Sequence, residues 1–132
     1  MLLTAKYVVP VTSSHIEDGA VLVRGEDIAD IGPAEELLER YPYEEVKDLG
    51  LAVLMPGFVD AHTHLEYAAM RGLIEDQPYA NWKMAVNEKS KLFTANDWND
   101  SAALGALEAV ASGITTIADI TATGVESFIA QE

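Results

Sequence analysis

The sequence predicts a mixed α/β protein, with a small β-sheet over residues 1–54 followed by strand–helix units over residues 55–132. Three observations predict it. Short β-branched runs separated by turn residues fill the first 54 positions. An apolar run ending at His64 is then followed by two helical patterns. A second β-branched run comes after those helices, and strand, helix, helix, strand is the order of a crossover between parallel strands.

Residues 2–11 carry Tyr7, Val8, Val9 and Val11 and suit a strand. Thr12-Ser13-Ser14 and Glu17-Asp18-Gly19 bound a connecting turn, in which His15 reads as a solvated loop histidine. Ala20 to Arg24 makes a second strand, Gly25-Glu26-Asp27 a tight turn, and Ile28 to Gly32 a third strand. Strands so closely spaced predict a small antiparallel sheet. From Pro33 to Arg40 a short helix is expected, with proline at its start and Glu35 and Glu36 in its first turn. Pro42 ends it, and Val46 to Leu49 and Ala52 to Met55 return to strand.

The run Met55-Pro56-Gly57-Phe58-Val59-Asp60-Ala61-His62-Thr63-His64-Leu65-Glu66 is the most informative in the chain. Residues i and i+2 of a strand share a face, so both imidazoles converge on one point at the strand's end. Neutral imidazole is the commonest zinc ligand, which makes His62 and His64 candidate metal ligands. A catalytic zinc generally takes three protein ligands and acidifies a bound water to a pKa near 7. No convincing third histidine accompanies the pair, because His15 lies in the preceding module.

Tyr67 to Pro78 has no clean period and reads as a long loop of the kind that often carries function. Asn81 to Leu92 reads as a helix, with Trp82, Ala85, Val86 and Lys89 at helical steps. Thr94-Ala95-Asn96-Asp97 is a capping-box signature opening the strongest helix, in which Ala103, Leu107 and Val110 recur with Leu104 and Ala111 beside them. Gly113 stops that helix, and Ile114 to Ile120 has the composition of a doubly covered parallel strand. The second half therefore has the order expected of the opening of an incomplete TIM-type (β/α)8 barrel.

Around the histidines, Glu66 shares their side of the chain if strand geometry persists, facing substrate or the ligands' supporting shell; otherwise it is a solvated glutamate. Asp60 points inward below the metal in a packing or hydrogen-bonding role, and Asp119 ends the second barrel strand in a structural or ligand-supporting role. Arg71 and Trp82 follow the first strand and are candidates for substrate contact; a surface salt bridge and a helix core anchor are the alternatives.

The net charge of −14, from 8 basic and 22 acidic residues, argues against nucleic acid or an anionic membrane as partner. With no cysteine there is neither a disulfide framework nor a thiolate ligand. The first ten residues lack the features of a signal peptide, and no apolar run approaches the roughly 20 residues that cross a bilayer. A cytoplasmic protein is expected.

Three stretches carry a family resemblance. Gly19 to Val23 with Ile28 to Pro33, Asp48-Leu49-Gly50 through Gly57 to His64, and Ala111 to Asp119 together resemble the amidohydrolase superfamily of metal-dependent hydrolases, closest to its aminohydrolase and chlorohydrolase branch. The resemblance implies that residues 1–54 belong to a β-sandwich and that residues 55–132 begin the hydrolase barrel. It also implies a longer protein, since members run to several hundred residues. Later barrel strands would supply another metal-binding histidine, a proton-moving histidine and an aspartate, so catalytic residues are expected beyond Glu132.

On this basis the chain reads as the N-terminal part of an enzyme that hydrolyses non-peptide carbon–nitrogen or carbon–halogen bonds of a small heterocyclic substrate. The resemblance implies one divalent ion, zinc or iron, and the isolated chain is expected to be inactive. The alternative is a stand-alone binding or self-assembling module without catalysis. An unclosed barrel leaves strand edges and apolar faces unpaired, so a homo-oligomer is expected on either reading.

Overall fold

The computed structural model describes residues 1–121 and shows a mixed α/β chain. It divides into two compact units, Met1–Pro56 and Gly57–Glu132.

The first unit is a five-stranded sheet built on β1 (Leu2–Val8), β2 (Ile16–Arg24) and β3 (Asp27–Pro33). These three pair antiparallel, β2 lying between β1 and β3. The other edge of β1 is taken by β4 (Val46–Asp48) and then β5 (Val53–Leu54), both parallel to it, so the sheet is mixed rather than antiparallel throughout. Gly50, at φ 65°, makes the break between β4 and β5 in a region that favours glycine. Asp48 pins that break: its Oδ1 accepts from the Gly50 N–H and from the Thr4 hydroxyl, each at 3.0 Å.

One face of the sheet carries the core. Leu2 stands opposite Leu22, and both pack with Ala20 and with Leu37 of α1 (Ala34–Arg40). Pro33 precedes α1 in extended conformation, and acidic residues occupy its first turn, as expected from the sequence. On the opposite face, Leu3, Val21, Val23, Ile28, Ile31 and Leu54 line an apolar hollow of about 220 Å³.

The second unit has β6 (Phe58–Thr63) and β7 (Ile114–Asp119) as a parallel pair. Between them run a 3-10 helix (Leu65–Met70), α2 (Tyr79–Ser90) and α3 (Ala95–Ala111). The loop expected over Tyr67 to Pro78 is thus helical for its first four residues, because the chain turns back at once under α3. Met70, Val86 and Trp98 form the core here, with Tyr67, Ile74, Trp82 and Phe93 against them. The capping box is present: Thr94 Oγ1 accepts from the Asp97 N–H, and the Asp97 carboxylate accepts from the Thr94 N–H at 2.7 Å.

The apolar period that predicts α3 does not mark its buried face. Trp98, Ser101 and Ala102 are buried, whereas Leu107 and Val110 are 69% and 70% exposed. Small residues turn inward because the 3-10 helix lies close against them. Among the described residues, no helix is long and apolar enough to cross a membrane.

Candidate metal centre

The two candidate ligands lie at the C-terminal end of β6, where His62 is in the strand and His64 immediately follows its last residue, Thr63. Their ring centroids are 5.3 Å apart with planes at 87°, and both residues are exposed. The alternation that the sequence predicts therefore does bring the imidazoles together.

Each of the two residues is held by a different set of contacts. Asp60 Oδ1 accepts the His62 backbone N–H at 3.1 Å, so Asp60 braces the strand end. Nδ1 of His64 lies within hydrogen-bonding reach of the Ile120 carbonyl oxygen. A carbonyl oxygen only accepts, so this contact places the proton on Nδ1 and leaves the Nε2 lone pair available to a cation. The Tyr67 ring stacks on His64 at 5.2 Å and 27°. Beside it, Asp119 Oδ1 accepts the Leu65 N–H at 3.2 Å, and the Ile120 N–H donates to the Thr63 carbonyl at 2.9 Å. The ends of β6 and β7 are tied together where the histidines sit.

The remaining sequence candidates separate. Strand geometry stops at Thr63, so Glu66 does not continue the alternation of His62 and His64. It lies in the 3-10 helix at 0% exposure, with its carbonyl accepting from the Ser101 hydroxyl at 2.6 Å. Arg71 makes a two-point ion pair with Glu108, at 3.0 and 2.5 Å. The guanidinium holds the Glu108 carboxyl below its ordinary range, and Glu108 raises Arg71 in turn. Trp82 packs on the Met70–Val86–Trp98 core and stacks on Tyr79 at 6.0 Å. His15 is exposed, with its ring edge-on to Tyr7 at 6.3 Å.

Two hollows adjoin these residues. One of about 320 Å³ is lined by Asp60, Thr63, His64, Tyr67, Arg71 and Glu108, among others. Another of about 370 Å³ is lined by Tyr67, Met70, Arg71, Ile74, Trp82 and Val86 with Gly72 and Glu75. Among the described residues, no group of three or more His, Cys, Asp or Glu side chains converges to hold an ion. The imidazole pair fits a zinc-type ion in donor chemistry and could hold one only together with further ligands.

Tyr67, Ser101 and Gly105 are contributors that the sequence reading passed over. Tyr67 stands three residues after His64, and Ser101 and Gly105 stand four apart on α3; that helical spacing of small residues is the signal available.

Residues 53–131 match the family model described as "Amidohydrolase family", and residues 19–42 match "Imidazolonepropionase-like composite domain, bacteria". The chain belongs to the amidohydrolase family. It is 32% identical over 107 residues to a 5-methylthioadenosine/S-adenosylhomocysteine deaminase of Syntrophobacter fumaroxidans, covering 80% of this chain and 24% of that protein. It is 33% identical over 106 residues to a 5'-deoxyadenosine deaminase of Methanobrevibacter smithii, covering 77% and 23%. The chain thus spans about a quarter of the length of the curated relatives it matches. In fold it resembles the zinc complex of an atrazine chlorohydrolase from Arthrobacter aurescens, with TM-score 0.81 and 22% identity over 98% of this chain and 32% of that one. Helicobacter pylori aminofutalosine deaminase, in complex with methylthio-coformycin, gives TM-score 0.78 at 22% identity, over 97% and 31%.

Proposed function

We propose that the chain is the N-terminal part of a metal-dependent hydrolase that releases an amino or halide group from a small heterocyclic compound. In this reading β6 and β7 are the first two strands of a (β/α)8 barrel, and the sheet of the first unit is part of a β-sandwich. His62 and His64 are two of the ligands of a divalent ion, zinc by the chemistry of imidazole donors. When bound, such an ion supplies acidified water for hydrolysis. The observation that carries the proposal is the convergence of the two imidazoles, 5.3 Å apart, at the C-terminal end of a parallel strand. The deaminase names of the relatives support the reaction class.

The chain's own groups then divide the work. Asp60 holds the strand end through the His62 N–H, and the Ile120 carbonyl engages Nδ1 of His64, leaving its Nε2 lone pair for the ion. Asp119 fixes the turn that follows. Arg71 and Trp82 line the larger hollow and are the proposed substrate wall, with Arg71 held in place by Glu108. Glu66 serves the packing of the turn, being buried beneath α3. The other ligands and the proton-moving group are assigned to parts of the protein outside the described residues.

Metal analysis tests the assignment. The longer protein of which this chain is proposed to be the N-terminal part, purified with its metal, is expected to lose zinc in both His62→Ala and His64→Ala, and with it the release of ammonia from adenosine-type nucleosides or of chloride from a chlorotriazine. Wild-type zinc content and turnover in either variant would refute the site.

A second reading, self-association, is favoured by uncovered apolar surface: Phe58 and Val59 on β6, and Leu107 and Val110 on α3, are all more than half exposed. It predicts a dimer or larger species without any metal requirement. A monomer by light scattering across the micromolar range removes it.

A further inference from the structure

We propose that Ser101 and Gly105 are positioning residues, one face of α3 forming a seat that fixes the ring of His64 through the 3-10 helix. The inference goes beyond the assignment of His64 as a ligand; only its consequence for metal affinity rests on that reading.

Ser101 is 2% exposed, and both capacities of its hydroxyl are used across the interface. It donates to the Glu66 carbonyl at 2.6 Å and accepts the Ala69 N–H at 2.8 Å. A serine inside a helix commonly bonds back to its own preceding turn; here the hydroxyl serves a different segment. Gly105 lies one turn further along the same face. A Cβ there would stand 2.8 Å from the Leu65 carbonyl oxygen, 3.2 Å from its Cα and 3.3 Å from its carbonyl carbon. All three are backbone atoms, so no change of rotamer relieves the contact. Glycine within a helix is destabilising relative to alanine, and here its lack of a Cβ permits the close approach.

The seated segment is the one that determines the ring. Leu65 follows His64 directly, and its N–H is held by Asp119 on the other side, so its peptide cannot yield without loss of that bond. Tyr67, whose ring lies on His64, is carried by the same turn between the two Ser101 contacts at Glu66 and Ala69. The seat therefore sets both the backbone that leaves His64 and the surface against which its ring rests. The Ile120 carbonyl then selects the tautomer. Removing the hydroxyl at Ser101 or adding a methyl at Gly105 perturbs one contact surface in opposite ways, by subtraction and by crowding.

The test reads the ring directly, in the metal-free protein at pH 8.5, by nitrogen–proton correlation of the histidine side chains. In the wild type His64 is expected as a single Nδ1–H tautomer. In Ser101→Ala and in Gly105→Ala its signals move toward mixed tautomers. Thr94→Ala, which weakens the same helix at its other end without touching the seat, leaves them unchanged. By chelator competition, the zinc dissociation constant rises about tenfold or more in both seat variants but not in Thr94→Ala. Wild-type ring signals in a folded Ser101→Ala, which adds no atom, overturn the proposal even if Gly105→Ala fails to fold. Equal shifts in Thr94→Ala overturn it too, by reducing the seat to general helix stability. Should His64→Ala bind zinc as tightly as wild type, the ligand assignment falls, and the seat is still judged by the ring signals.

Discussion

Asp119→Ala is the perturbation whose consequence follows most directly from the geometry. Asp119 Oδ1 accepts the Leu65 N–H at 3.2 Å, and Leu65 is buried at 4% exposure. Truncation leaves that N–H without its carboxylate acceptor, a loss of about 1–3 kcal/mol for a buried donor. Local opening of the turn then becomes about 5- to 150-fold more frequent, at 1.4 kcal/mol per tenfold. Amide hydrogen exchange followed by nuclear magnetic resonance should show this acceleration at Leu65. Amides in β1 and β2, which belong to the other unit, should be unaffected. Asp119→Asn discriminates further, because its carboxamide oxygen still accepts, so most of the protection should survive. Exchange at Leu65 unchanged in Asp119→Ala would refute the reasoning. If Asp119→Asn keeps protection but loses metal, the charge of Asp119 matters to the site beyond this bond.

Further perturbations probe the scaffold. Leu22→Ala opens a cavity where Leu22 packs on Leu2 and Leu37, and should cost about 2–5 kcal/mol in chemical denaturation followed by circular dichroism. Thr94→Ala removes the acceptor for the Asp97 N–H and should cost about 1 kcal/mol, read from the loss of α3 signal. Acid should weaken both units. Thr94 holds Asp97 below its ordinary 3.8, the Gly50 N–H and Thr4 do the same for Asp48, and Arg71 holds Glu108 below 4.5. For such depressed carboxyls the stabilisation is complete above the ordinary value and disappears as pH falls through the lowered one. The denaturation midpoint should therefore be level above about pH 5 and fall below the ordinary values of 4.5 and 3.8. A midpoint that rises on acidification to pH 3 would contradict this.

What could be read from sequence was what is local in its cause. The capping box at Thr94–Asp97 is complete within four residues, and it forms as written. Alternation alone brings His62 and His64 onto one side of a strand end. Pairing direction was less accessible: Val46–Asp48 and Val53–Leu54 have strand composition, but their parallel alignment on β1 depends on Thr4, Asp48 and Gly50 meeting across the sheet. The 3-10 helix at Leu65–Met70 is too short to show a period. Nor did the inner face of α3 announce itself, because a backbone approach through Ser101 and Gly105 requires small side chains, which carry no hydrophobic signal. Leu107 and Val110 gave the stronger pattern and face outward.

The bonds that hold the turn after β6 have a consequence for the order in which the molecule assembles. His62 and His64 are neighbours in sequence, yet the contacts that fix them are distant. Ser101 reaches Ala69 and Glu66 across 32 and 35 positions, Asp119 reaches Leu65 across 54, and Ile120 reaches His64 across 56. Contacts of such separation are expensive in loop entropy and form late. A nascent chain that has emerged only as far as α2 carries both imidazoles on an unpaired strand, with neither the tautomer nor the spacing enforced. If His62 and His64 are metal ligands as proposed, an ion captured at that stage would meet two mobile side chains, and selection among metals would wait until β7 had docked.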